Sequence, residues 1–506
     1  MPCAYFFDRQ TWDEDTDEPV SVRSTCQFNE SHNSLIEFDG SSWCTFHLPF
    51  ENSQGTTSAK ATWSPDVISD FNKKIIDKVD NAQSSGNEID LTGVVFPGNI
   101  EFYPGDNKVF YFPDVLLSGA IFTSDVNFTH VHFLGKSEFD KTQFCGEAEF
   151  GHSQFNDSAG FSEVTFLGRT DFANTTFKDG AYFGSAHFKS SPFFLQATFG
   201  VRAFFGEAIF EQAQFDGGAA FIRTKFSGHS NFDGARFFGE ASFVDAIFAA
   251  SLHMKKTIFG EKADFSSHGI SSSIHGLTKS SEPALGDFQE MECEHTEFLK
   301  EADFTNRQFL SATSFKSTKF AKAPKFHNCK LHADTDFSHT QFLDTESDGA
   351  ARAYRTLKLG MEQNRSRNEQ AVFYALEQKS LRKRPDTPKT VKIISWLYEK
   401  IANYGQSFVR PLLWLVTIYG IFFVIYAVSL NPSPASWQMF EDIARFTMAQ
   451  VVRPFHAFTL TESQSFGATS VKIPFGIAFA AAIHSIMSIT FVAVILVALR
   501  RRFRMG

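Results

Sequence analysis

The stretch "FLGKSEFDKTQFCGEAEFGHSQFNDSAGF", residues 133–161, carries Phe at 133, 139, 144, 150, 155 and 161. The steps between rings alternate between six and five residues. A helix returns to one face every 3.6 residues and a strand alternates every 2, so neither accounts for that beat. A strictly kept longer period marks a repeat architecture. Outward from the stretch, the beat reaches back to Phe122 and forward through Phe199, Phe205 and Phe210. It slips once at Phe215 and continues to Phe265, with Met254 standing in for one ring. After a gap it returns from Phe298 to Phe342, with Leu331 as a second stand-in.

Two smaller regularities accompany the rings. The residue two before each Phe is usually small or β-branched, as at Ala148, Ser153, Ala159, Val164, Thr170, Thr175, Ala181 and Ala186. Gly often follows two after the ring, as at Gly135, Gly146, Gly168, Gly228 and Gly239, where its backbone freedom suits a corner. A short straight segment with one large and one small inward residue, then a corner, is the unit of a four-sided β-solenoid. In "AEFGH", "ATFGV", "AIFEQ" and "AQFDG" the sequence resembles the pentapeptide repeat family, over roughly residues 115–345. The resemblance implies an all-β solenoid, a right-handed quadrilateral β-helix with the central residue inside. The alternating sixth residue should widen two of four corners and give a 22-residue coil. Phe122 to Phe265 then makes about 6.5 coils, a rod of roughly 30 Å at ~4.8 Å per stacked strand. Phe150, Phe172 and Phe194 should stack in one ladder.

The 62 Phe are therefore core packing rather than a ligand cage. Net charge is −10, unevenly spread. Residues 350–506 hold 20 Lys+Arg against 8 Asp+Glu, leaving 27 against 49 in the remainder. An acidic part on a basic tail points to a membrane or nucleic-acid partner at one end. The six Cys are scattered and no charged, apolar leader opens the sequence, so residues 1–400 are expected in a reducing cytosol.

Residues 1–110 read as a non-repetitive N-terminal cap region. "WSPDVISDFNKKIIDKVDN" predicts a helix capped at Ser64, with Ile68, Phe71, Ile75 and Val79 on the face that covers the first coil. The β-helix should occupy 111–265, an excursion loop 266–297, and final coils 298–345. Within the loop, His268, His275, Cys293 and His295 fit no standard metal spacing. Residues 346–400 change to helical period, a cap or connector with Tyr354, Leu357 and Met361 on one face and Val372, Leu376 and Lys379 on another. The segment resembles the helical connector of pentapeptide repeat proteins with a membrane tail. The rest, 401–506, reads as a membrane domain.

Two uncharged spans, about 411–430 and 475–499, can each cross a ~30 Å hydrocarbon core as a helix. Basic residues precede the first span, from Arg382 to Arg410, and follow the second, from Arg500 to Arg504, so both flanks are expected in the cytoplasm. This predicts a two-helix transmembrane hairpin in the inner (plasma) membrane, with the N-terminal domain and C-terminus cytoplasmic. Between the spans, Met439, Phe440, Ile443, Phe446 and Val451 suggest a short amphipathic helix, lying on the outer surface or re-entering as a pore helix. The potassium filter Thr-x-Gly-Tyr-Gly is absent. In the second span, polar His484, Ser485 and Ser488 are the pore-lining candidates, and the aromatic first span should face lipid.

No catalytic constellation stands out, and the chain is not expected to be an enzyme. Cys3, Cys26, Cys44 and His47 are candidate ligands of a structural zinc, three thiolates and an imidazole making a closed tetrahedral site. Free thiols beside a buried His are the alternative. The segment also resembles the Cys-and-His lead-in of some pentapeptide repeat proteins. Two helices cannot enclose a water path, so the leading functional reading is a homo-oligomeric channel or pore with the β-helix as scaffold or sensor. The runner-up is a non-conducting anchored scaffold with a protein partner on the β-helix. An acidic DNA mimic that binds a topoisomerase ranks last, and no nucleic-acid partner is expected.

Overall fold

The computed structural model describes residues 3–13, 18–28, 35–102, 110–200, 207–268, 287–430, 437–452 and 475–503. They form two compact units, Met1–Asp344 and Thr345–Gly506. The first is a parallel β-solenoid of about ten turns. An 11-stranded sheet makes one face, a 9-stranded sheet another, and an 18-stranded sheet takes in the rest.

Each strand is short because each side must turn after one large and one small inward residue. Gln143 and Phe144 pair with Thr165 and Phe166 in the next coil, a shift of 22. Phe150, Phe172 and Phe194 stack as expected, with ring centroids 4.7 and 5.0 Å apart and planes within 8°. Rings of adjacent ladders meet edge to face, as Phe150 and Phe161 do at 5.7 Å and 89°. Both geometries suit the aromatic quadrupole. The small slots from Ala148 to Ala186 are buried beside them. At several slots a Thr hydroxyl donates to a carbonyl of the preceding coil, as Thr175 does to Phe150 at 2.7 Å and Thr142 to Leu117 at 2.7 Å.

The 22-residue beat is not kept throughout. Phe183 stacks on Phe210 and Phe188 on Phe215, 27 residues apart. Phe205 lies outside the described residues, and Phe210 takes the place the beat assigns to it. Only six turns separate Phe122 from Phe259 along their ladder. The excursion drawn over 266–297 also ends early. Strand Asp287–Glu292 already pairs in parallel with Ile247–His253. Cys293 is a fully buried core residue, bonded through its N–H to Ser314 O, and Phe288 stacks between Phe248 and Phe309. Residues 269–286, with His275, lie outside the described residues. At the other end the first strands, Ile89–Asp90 and Val95–Phe96, lie in "EIDLTGVVFPGNIEF", residues 88–102, whose sequence reads as strand-like rungs leading into the rod, ahead of the boundary at 111.

Corner chemistry corrects the glycine argument. The left-handed corners carry His130, Lys141, His152, Glu163 and Asn174, with φ between 56° and 60°. Gly146, Gly168 and Gly239 are not among them. A Cβ on Gly168 would lie 2.2 Å from Gly146 O, and one on Gly239 would lie 2.5 Å from the Gly217 backbone. These glycines are selected for close passage of one coil over the next.

Helix α1, Pro65–Ser85, follows Ser64 and buries Phe71, Ile75, Val79 and Ala82. Phe71 meets the first-coil ring of Phe96 edge-on, so the helix covers that end. Lys60, 1% exposed, donates to Phe46 O and Val95 O, which satisfies a strand carbonyl of the first coil. An open solenoid end would leave such groups bare.

The second unit is helical: α2 Ala350–Gln363, α3 Arg367–Lys383, α4 Lys389–Ala402, α5 Val409–Leu430, α6 Trp437–Val452 and α7 Phe475–Phe503. On α2, Tyr354, Leu357 and Met361 are buried together. On α3 the expected face is wrong: Val372 is exposed, and Phe373, Ala375, Glu377 and Ser380 turn inward. Glu377 tolerates this because Arg355 and Lys358 each reach it at 2.7 Å. Helices α5 and α7 are long and apolar enough to cross a membrane over Val409–Ser429 and Phe475–Arg500.

Candidate metal centre and the polar seam between the apolar helices

Two small hairpins build the first site. Strand β1, Phe6–Asp13, pairs antiparallel with β2, Glu18–Thr25, and Phe6 faces Thr25. Cys3 precedes that ladder and Cys26 ends it, so the hairpin returns them to one place despite their separation in sequence. Strand β3, Ile36–Phe38, pairs with β4, Ser41–Trp43, and Cys44 follows β4 directly. Ala4 N–H donates to Ser42 O, which joins the two hairpins. A tight turn closed by Leu48 N–H to Cys44 O brings His47 beside Cys44.

The four ligand atoms all lie within 4.8 Å of one another. Cys44 Sγ is 3.2 Å from His47 Nδ1 and 3.6 Å from Cys26 Sγ, and Cys3 Sγ is 4.0 Å from His47 Nδ1. A tetrahedral ion with ~2.3 Å bonds to sulfur has edges of about 3.8 Å, so the donor spacing fits a four-coordinate metal. The donor set is three soft sulfurs and one imidazole nitrogen. Backbone N–H groups of Cys44 and His47 point at the sulfurs of Cys3 and Cys44, at 3.3 and 3.4 Å. His47 Nε2 bonds to Thr92 O at 3.0 Å, which leaves Nδ1 as the lone-pair nitrogen facing the sulfurs. Tyr5 stacks on the imidazole at 3.8 Å. Gly93 passes under that phenol: a Cβ there would lie 2.1 Å from the Tyr5 ring.

The three thiols differ in acidity. The Cys44 thiol beside it holds Cys3 well below the usual thiol range. The same contact, then burial, pushes Cys44 up, and burial pushes Cys26 up. A bound cation would replace these shared protons. The sequence motif named all four donors but missed Thr92, Gly93 and Tyr5, which only the turn at the first coil brings in. His268, Cys293 and His295 take no part: His268 lies against Asp245, His295 sits at a left-handed corner and Cys293 is in the core.

The second group of residues lies among α5, α6 and α7. His484, Ser485 and Ser488 are fully buried within the chain. Tyr426 of α5 lies 3.4 Å from His484 Nδ1, and Phe422 stacks on the imidazole at 4.5 Å. Ser485 donates to Gln450 Oε1 of α6 at 3.3 Å. His484 Nε2 and Ser488 Oγ have no hydrogen-bond partner among the described residues. Within the single chain, the pore-lining candidates of α7 therefore form a polar seam against α5 and α6. The lipid-facing reading of α5 fails at Tyr426, which is buried, while Trp414 is exposed. Gln450 and Thr447 of α6 complete the seam and were not anticipated. Met439 side-chain placement and residues 453–474 lie outside the described residues.

A family model described as pentapeptide repeats (9 copies) matches residues 117–165 and 210–258. No curated protein and no solved structure gives a significant match.

Proposed function

From the premise that this chain is a pentapeptide-repeat protein, we propose that it works in the inner (plasma) membrane as a homo-oligomeric channel or pore. The β-helix serves as its cytoplasmic scaffold or sensor, and both chain termini lie on that side.

One observation carries the reading. Helix α6 packs on both apolar helices within their apolar lengths, through Phe440 on Phe423, Phe446 on Tyr426 and Gln450 with Ser485. Its opposite face presents an ion pair, Glu441 to Arg445 at 2.6 Å, with side chains 51% and 74% exposed. Two spans with a third helix between them favour re-entry over a surface position. An ion pair facing hydrocarbon is costly, whereas one facing a water-filled space shared by several copies is solvated. Helix α6, rather than the His484–Ser488 stripe, is therefore the element best suited to line a path. Oligomeric mass in detergent, then conductance in a planar bilayer, tests this. Conduction changed by Glu441→Gln supports it, and a non-conducting monomer leaves the anchored scaffold.

The N-terminal group suits a structural zinc. All four positions are protein donors, so the ion would join two hairpins and the turn of the first coil without offering a site for substrate. Loss of zinc should expose the end of the solenoid that these elements cover.

A further inference from the structure

Helix α4 leaves five large apolar side chains in solvent: Val391, Ile393, Ile394, Trp396 and Leu397, each between 43% and 66% exposed. Its other face is occupied. Ser395 lies 2.9 Å from Tyr404 OH, Tyr398 meets the Tyr404 ring edge-on, and Ala402 is buried. Glu399, the only acid on the helix, bonds Arg382 at 2.6 Å and Lys379 at 3.3 Å. So α4 is held by one side to α3 and to the 403–408 turn, and the apolar side has no partner among the described residues.

Charge and position identify what covers it. Lys389, Lys392 and Lys400 stand on the same helix without an ion pair among the described residues. Lys389 and Lys400 lie on the exposed side. At 100° per residue, Ile393, Leu397 and Lys400 share one stripe, so the lysine stems run along apolar surface with their ammonium groups free to reach outward. Six residues separate Ala402 from Val409, where the apolar α5 begins. Arg410 donates to Glu399 O at 3.3 Å, which fixes the first turn of α5 beside the end of α4. A helix held there cannot stray far from the surface that α5 enters. An apolar stripe flanked by lysines and one Trp matches the boundary between headgroups and acyl chains.

We infer that α4 is an interfacial helix whose Ile393–Leu397 face docks on anionic phospholipid at the leaflet that α5 enters. The inference rests on α5 spanning a membrane, and adds a lipid-recognition surface to it. Through Glu399, that surface also sets the direction of the α2–α3 pair relative to the bilayer.

The test uses full-length protein reconstituted into mixed phosphatidylcholine–phosphatidylglycerol vesicles. A photoreactive p-benzoylphenylalanine replaces Ile393 or Leu397, one at a time. Phospholipid adducts are expected at both positions, with phosphatidylglycerol over-represented relative to its share of the vesicle. That preference should be lost in Lys389→Gln/Lys392→Gln/Lys400→Gln, while adducts with phosphatidylcholine remain. Cross-links to a second copy or to another protein, or no adducts at all, would overturn the inference. Alkaline carbonate extraction of the same samples separates the two readings. Protein that resists extraction but yields no lipid adducts refutes the role of α4 alone, whereas protein released by carbonate refutes the spanning helices.

Discussion

Phe172 illustrates how much rests on one side chain in a ladder. It is fully buried, stacks on Phe150 and Phe194, and meets Phe161 and Phe183 edge-on. Phe172→Ala leaves a cavity that neighbouring coils cannot close, because their backbones are tied by the parallel ladder. A local cost of about 3–5 kcal/mol is expected. Hydrogen exchange should show lost protection in the coils around 150–194 and little change at the far end, since contacts in a solenoid are near-neighbour. Glycines give a sharper test. A Cβ on Gly168 would collide with the Gly146 carbonyl, whereas one on Gly151 would make an ordinary 3.7 Å contact with Ala173 O. Gly168→Ala should therefore lower the melting temperature and Gly151→Ala should leave it nearly unchanged. Equal effects would mean that glycine freedom, not coil spacing, selects these positions. Arg307 is the residue least expected from the pattern. It fills a small-residue slot, is fully buried, and bonds the carbonyls of Phe243, Phe265 and Ala246. Those bonds replace the hydration its guanidinium loses, and burial still lowers its pKa to about 10.

Among the elements, the two N-terminal hairpins meet where Ala4 N–H donates to Ser42 O. Their order depends on the convergence of Cys3, Cys26, Cys44 and His47. Purified protein is expected to carry about one equivalent of zinc per chain. Cys44→Ser should lose it, and a chelator should lower stability in the native protein but not in that variant. The donors must be deprotonated to bind, so metal loss should grow as pH falls. Metal-free native protein, prepared without chelator, would reject the site. The motif was legible because three Cys and one His stood in a single lead-in. Its geometry was not, because a hairpin's return is decided by register: Phe6 opposite Thr25 is what places Cys3 beside Cys26. Helix α3 shows the opposite case. Apolar spacing put Val372 inside, but the two cations on α2 allowed Glu377 to take the buried face. In α6, Thr447 and Gln450 turn inward: Thr447 donates to Ile443 O of its own helix, and Gln450 accepts from Ser485 of α7, a partner the spacing of α6 alone cannot reveal.

At the scale of the whole molecule, the proposal turns on which surface of the helical unit meets water. Arg445→Cys is expected to react with a small aqueous thiol reagent and to change any conductance. Ser488→Cys, enclosed by α5 and α6 of the same chain, should do neither. Reaction at 488 with none at 445 would restore α7 as the lining element.

The sequence by itself determined the solenoid, because a ring every five or six residues has no other backbone that buries it. It also determined the two apolar helices, by length and absence of charge, and it named the four residues that converge as candidate metal donors. Tertiary structure decided what depends on distant segments meeting. A 27-residue coil and an early return at Asp287 follow from which ring stacks on which, information that is not contained in spacing once the spacing varies. Glycine at 168 reflects the neighbouring coil, and His484 turns against Phe422 and Tyr426 of α5, contacts that the spacing of α7 alone does not contain.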